Sequence, residues 1–87
     1  MTKSRIPSKI RVLVVDDSAF MRKAIMDILN SDDEISVIDT AKNGVEAIEK
    51  AQQLKPDVIT MDLNMPVMDG LECLRRLQAI IRIPVIM

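Results

Sequence analysis

The chain has 87 residues, 12 of them basic and 13 acidic, giving a formal net charge of −1, and it has no histidine. That length allows one domain. The balanced charge excludes the basic face that nucleic-acid binding needs, since the early cations Lys3, Arg5, Lys9 and Arg11 are too sparse to supply one, and no apolar run approaches the roughly 20 residues of a membrane span.

The lone cysteine, Cys73, can form no internal disulfide, and the lack of histidine removes cysteine–histidine zinc sites and histidine base catalysis. A free thiol and a polar start without a secretory signal fit a cytoplasmic protein. Residues 1–9 are expected to be a flexible N-terminal segment and residues 10–87 the folded domain. Phe20 is the sole aromatic side chain, so the core must come from Ile, Leu, Val, Met and Ala.

Ile10–Val15 is a short Val-rich run, the mark of a strand buried on both faces. Ser18 can cap a helix. The stripe of that helix is Met21, Ala24, Ile25, Ile28 and Leu29, with Arg22, Lys23 and Asp27 on the other side. Asn30-Ser31-Asp32-Asp33 ends it with turn chemistry, and Ile35–Ile38 reads as a second strand. Asn43 and Glu46 have the spacing of a capping box, with Gly44 allowing a close turn. Ala47, Ile48, Ala51 and Leu54 mark a second helix, stopped at Lys55-Pro56-Asp57 because the residue before proline avoids helix. Val58–Met61 is a third strand. Met65-Pro66 and Asp69-Gly70 are loop signals. Leu71, Leu74, Leu77 and Ile81 mark a third helix, and Ile83–Met87 a fourth strand with Pro84 early in it. The alternation βαβαβαβ argues for an α/β fold, a parallel sheet with helices on both faces.

Asp16 and Asp17 directly follow the first strand, and Asp62 follows the third. Open parallel sheets bind ligands beyond the carboxyl ends of their strands, where the strand order reverses. An order 2-1-3-4 makes the first and third strands neighbours at that point and brings the three carboxylates into one pocket. Three close carboxylates repel one another, and a hard divalent cation relieves the repulsion. Mg²⁺ prefers oxygen ligands, keeps several waters, and binds through one or two carboxylates plus a phosphate oxygen. A carboxylate can also act as a nucleophile and form an aspartyl phosphate, with the metal bridging the attacking side chain and the phosphoryl oxygens. Taken singly, an Asp-Asp pair after a strand is a turn and a helix cap, and Asp62 is a loop residue. Their joint placement at adjacent strand ends points instead to an Mg²⁺-assisted phosphoryl acceptor. Among the other motifs, Met21 and Met61 read as core fillers and Met65 and Met68 as loop residues. Cys73 reads as an inert, partly buried thiol, and Arg75, Arg76 and Arg82 as a solvated helix face and its end.

The string Val12-Leu13-Val14-Val15-Asp16-Asp17-Ser18 resembles the opening of response-regulator receiver domains, and Asp62-Leu63-Asn64-Met65-Pro66-Val67-Met68-Asp69-Gly70 resembles their phosphorylated-aspartate loop. More narrowly, Ser18-Ala19-Phe20-Met21-Arg22-Lys23, Leu54-Lys55-Pro56-Asp57-Val58-Ile59-Thr60 and Pro84-Val85-Ile86-Met87 are similar to the amino-terminal receiver of the chemotaxis protein-glutamate methylesterase. Single-domain chemotaxis receivers share the Ala-Phe-Met-Arg element. The resemblance implies a three-layer, flavodoxin-like sheet of order 2-1-3-4. It also implies Asp62 as phosphoryl acceptor and Mg²⁺ held by Asp17 directly, by Asp16 mostly through water, and by the backbone carbonyl of Asn64. Pro66 and Gly70 would shape the loop that delivers Asp62. The implied partners are a sensor histidine kinase of the chemotaxis type and an output domain in a longer parent protein.

The family's full fold has a fifth strand, bearing a lysine that pairs with the phosphoryl group. Residues 10–87 are therefore expected to be an incomplete receiver. Its fourth strand would then be an exposed sheet edge, which predicts self-association as a homodimer. One rival reading is a catalytically silent fragment, which predicts no phosphoryl transfer. Another is a haloacid-dehalogenase-like phosphatase, whose DxD pattern Asp16-Asp17-Ser18 does not supply.

Overall fold

The computed structural model describes residues 9–65 and 68–87. Positions 1–8 of the expected N-terminal segment, and the loop-shaping role of Pro66, lie outside the described residues. The elements in chain order are β1 (Ile10–Val15), α1 (Ala19–Asn30), β2 (Ile35–Ala41), α2 (Gly44–Leu54), β3 (Val58–Met61), α3 (Gly70–Ile80) and β4 (Val85–Ile86). The strands form one parallel sheet of order β2-β1-β3-β4. This is the α/β, flavodoxin-like arrangement expected from the sequence.

The apolar run of β1 fits its place inside the sheet, where Val12, Leu13, Val14 and Val15 are all buried. Leu13 and Val15 pack with Ile59 and Met61 of β3, Ala47 and Ala51 of α2, and Cys73 and Leu77 of α3 in one core. The two alanines let α2 lie close to the strands. Burial pushes the Cys73 thiol up to about 11, which agrees with an inert side chain. Its Sγ sits 3.6 Å from the Gly44 carbonyl.

Several elements depart from the periodicity. β2 runs through the polar pair Asp39-Thr40 to Ala41, because its pairing with β1 carries on past them. An irregularity in the ladder between Val12 and Leu13 skips Ile38. No residue of α1 is fully buried. Met21 and Phe20 are exposed, so Met21 is not a core filler, and Ile28 also faces outward. In α3 the buried residues are Gly70, Cys73 and Leu77, while Leu71 is 63% exposed. Leu77 and Ile81 face the core as expected, but the first two turns set Gly70 and Cys73 inward in place of Leu71 and Leu74, because small residues let the helix approach the sheet. Met65 is a loop residue, as expected, yet it is buried in the core. β4 is shorter than expected, and Pro84 precedes it with its carbonyl accepting from the Ile59 N–H at 3.0 Å.

The caps follow local chemistry. Ser18 Oγ accepts from the Met21 N–H at 3.2 Å, and Asn43 Oδ1 from the Glu46 N–H at 2.8 Å. The return bond of the capping box is shifted by one residue, with Glu46 Oε1 accepting from the Lys42 N–H at 3.2 Å. Gly44 opens α2 without a positive φ. Its lack of a side chain instead admits the Met68 sulfur, which would lie 2.9 Å from an added Cβ. Asp69 and Gly70 likewise start α3, Asp69 as its cap.

Lys55 ends α2 in the left-handed region, φ 49 and ψ 62, rather than in the extended conformation a following proline favours. The compensation comes from β1. The Arg11 guanidinium donates to the carbonyls of Leu54 at 2.7 Å and Lys55 at 2.8 Å, satisfying acceptors that a helix end leaves open. The Arg11 N–H donates to Asp57 Oδ2 at 2.9 Å. Arg11 thus belongs to the fold and not to a loose basic start. Arg11→Met keeps the aliphatic stem and the backbone bond to Asp57 but removes both guanidinium bonds. Urea unfolding is expected to show a loss of about 1–2 kcal/mol, and unchanged stability would contradict the clamp.

Candidate functional site

β1 and β3 end side by side, with Val15 paired to Met61. Each ladder then runs on by one rung. The Asp16 N–H donates to the Ala41 carbonyl at 3.1 Å, and the Asp62 N–H to the Val15 carbonyl at 3.0 Å. Asp16 and Asp62 are thus carried to one edge of the sheet by backbone pairing, and Asp17 follows Asp16. One carboxylate oxygen from each of the three lies within 4.8 Å of the others. The convergence expected from the sequence is present. Asp16 is buried at 8% exposure, Asp62 is half-buried, and Asp17 is exposed.

Backbone amides hold two of these side chains. Asp16 Oδ1 accepts from the Ser18 N–H at 2.9 Å, and Asp62 Oδ1 from the Asn64 N–H at 3.2 Å. Among the described residues no protein group bonds the second oxygen of either. Asn64 itself is exposed in the loop after Asp62. The ion pairs of the described residues lie elsewhere: Lys23 with Asp27, Lys42 with Glu46, Lys50 with Asp39 and Glu46, and Arg75 and Arg76 with Glu72. Among the described residues, none of the three clustered aspartates is in an ion pair. Two unit charges at such a separation repel by about 1 kcal/mol even in bulk water. An all-oxygen donor set, open to solvent through Asp17 and without thiolate or imidazole, fits a hard cation that keeps part of its water shell, as Mg²⁺ does.

Gly70 is placed for close approach. A Cβ there would lie 2.5 Å from the Asp62 carbonyl oxygen and 2.9 Å from Leu63 Cα, and the Gly70 N–H donates to the Leu63 carbonyl at 2.9 Å. The start of α3 therefore presses directly on the backbone that presents Asp62. A cleft of about 210 Å³ adjoins the cluster, lined by Val15, Asp16, Ile25, Thr60, Met61, Asp62, Ile86 and Met87. The Thr60 hydroxyl is buried without a partner among the described residues.

One residue of the site escaped the periodicity. Arg22, assigned by its helical position to the solvent side of α1, is half-buried, and its Nη1 donates to the Asp16 carbonyl at 2.8 Å. The signal in the sequence was only an arginine in the first turn of the helix that follows the aspartate pair.

A doubly wound parallel sheet with an acidic cluster where its first and third strands end defines the receiver class of α/β proteins. A family model described as the response regulator receiver domain matches residues 12–87, and the chain belongs to that family of two-component signalling modules. It is 60% identical over 78 residues to the protein-glutamate methylesterase/protein-glutamine glutaminase of Bacillus subtilis, covering 90% of this chain and 22% of that protein. The corresponding protein of Caldanaerobacter subterraneus is 58% identical over 78 residues, with 90% and 21% covered. The chain thus spans about a fifth of the length of these curated relatives. The solved response regulator domain of Thermotoga maritima CheB superposes with a TM-score of 0.87 at 52% identity, covering 88% of this chain and 57% of that one. A chain of the CheX-CheY-BeF3-Mg complex from Borrelia burgdorferi aligns with a TM-score of 0.81 at 36% identity, covering 90% and 60%. The chain is a receiver related to those of the chemotaxis methylesterases, as the sequence strings implied. No helix among the described residues is long and apolar enough to cross a membrane.

Gly70→Ala is expected to displace the Asp62–Leu63 backbone. The amide resonances of those two residues should shift, and stability should fall by about 1–3 kcal/mol, as for overpacking at a tight contact. Spectra and urea midpoints matching the parent chain would contradict the close approach.

Proposed function

We propose that this chain is a phosphoacceptor module in which Asp62 takes a phosphoryl group from a histidine kinase with the help of Mg²⁺. The observation that carries this reading is the meeting of three carboxylates at one end of β1 and β3. Its support from relatives is the receiver family itself, together with a structural neighbour whose description includes beryllofluoride and magnesium.

Asp17, the exposed member of the cluster, would hold the metal directly. Asp16, buried and tied to the Ser18 N–H, would hold it mainly through water, and the Asn64 backbone carbonyl would complete the protein ligands. The bound cation would neutralise charge on the phosphoryl oxygens. An Asp62 carboxylate oxygen attacks phosphorus. As the new O–P bond forms, the bond from phosphorus to the donor's imidazole nitrogen breaks, and its electron pair leaves with the imidazole. The product is an acyl phosphate. The Asn64 N–H on Asp62 Oδ1 orients the carboxylate, so its other oxygen is the free nucleophile. The added charge would then bias a two-state surface toward or away from an output domain. By analogy with the relatives, that output would be a chemotaxis methylesterase domain in a longer protein.

The test is incubation with Mg²⁺ and acetyl phosphate, read by intact mass beside an Asp62→Asn control. The expected result is one added phosphoryl group that is absent from the control and from samples with chelator. Absence of any adduct, with Mg²⁺ bound, would leave a silent interaction module in place of an acceptor.

A further inference from the structure

We propose that Arg22 is a positioning residue for the acidic pocket, gripping the peptide that presents Asp17 to a divalent cation. The inference rests on the metal reading given above and adds a residue to it.

Asp17 is the exposed ligand of the cluster, and among the described residues no hydrogen bond is made to it. Its position depends on the residues on either side, and Arg22 holds both. The Arg22 Nη1 donates to the carbonyl of Asp16 at 2.8 Å, and the Arg22 backbone N–H donates to the carbonyl of Ser18 at 2.9 Å. The second bond is the ordinary opening of α1. The first is not, because it reaches back six residues from the helix to the strand end. To make it, a long side chain on the polar side of α1 gives up solvent and rotamer freedom. Its neighbour Lys23 shows the alternative, remaining 73% exposed in a pair with Asp27. The remaining restraints on Asp16 are its N–H on Ala41 and the Ser18 N–H on its Oδ1. Without Arg22, the carbonyl that leads into Asp17 is held by no group from α1.

The choice of acceptor matters. Arg22 bonds a carbonyl and none of the three carboxylates, so it fixes the loop without occupying oxygens that a cation needs. A guanidinium's planar fork and weak hydration suit such a half-buried role better than an ammonium does. As a charge alone, the guanidinium opposes a divalent cation, and removing it would strengthen binding. As a positioning group it does the reverse, because groups that orient metal ligands are worth about 10–100-fold in affinity when lost. The two effects have opposite signs, so one measurement separates them.

The experiment is calorimetric titration of Mg²⁺ into the parent chain, Arg22→Met, Arg22→Lys and Asp17→Asn, with circular dichroism and melting recorded in chelator. Arg22→Met is expected to bind Mg²⁺ about tenfold or more weakly while keeping its helical spectrum. Arg22→Lys should fall between Arg22→Met and the parent, and Asp17→Asn should bind weakest. Equal or tighter binding by Arg22→Met would overturn the positioning role and leave the metal site standing. Should Arg22→Met fail to fold, Arg22→Lys decides, and parent-like affinity there overturns the role. A parent chain that binds no Mg²⁺ would overturn the site and this inference together.

Discussion

The rest of the structure depends on β1 being hydrogen-bonded along both edges. β2 pairs on one side and β3 on the other, both parallel, so three strands end at one edge of the sheet. The ladders do not stop with the strands. Ala41 takes the Asp16 amide, and Val15 takes the Asp62 amide. Two carboxylates far apart in sequence are thereby brought together by backbone geometry, and the energy that does so comes from the buried Val12–Val15 run and the core beneath α2 and α3. The site is a place where the fold holds like charges together, and such arrangements are costly without a counter-ion. In the proposed reading, relief of that cost is what would favour a bound cation.

Much of this was legible in the sequence because it rests on short-range rules. The length and Val content of Ile10–Val15 suit a buried strand, and Ser18, Asn43 and Pro56 punctuate the chain where helices begin or end. The alternation of strands and helices pointed to a parallel sheet but left its strand order open; the order 2-1-3-4, and with it the meeting of Asp16, Asp17 and Asp62, came from the resemblance to receivers. The strings around Asp17 and Asp62 narrowed the class to receivers, and the relatives agree.

What periodicity missed was decided by tertiary contact. Leu71 and Cys73 exchanged roles because α3 turns its small residues toward the sheet, with Gly70 against the Asp62 carbonyl. A helical wheel scores Leu as core and Cys as incidental, so it misreads such a face. Arg11 and Arg22 were read as surface charge, yet Arg11 donates to main-chain carbonyls at the far end of α2 and Arg22 to the Asp16 carbonyl six residues back. Long cationic side chains can fold back in this way, and one-dimensional pattern carries no record of it. β2 outran its apolar run because pairing with β1 continued past Asp39 and Thr40.

The central claim is that three carboxylates are held together at a net electrostatic cost which a divalent cation removes. It is tested most directly by the unfolding free energy of the parent chain and of Asp17→Asn, each with chelator and with saturating Mg²⁺. The account predicts that Asp17→Asn is the more stable of the two in chelator, because one repelling charge is gone, and that Mg²⁺ stabilises the parent far more than the variant. A variant less stable than the parent in chelator, with Mg²⁺ shifting both equally, would contradict it.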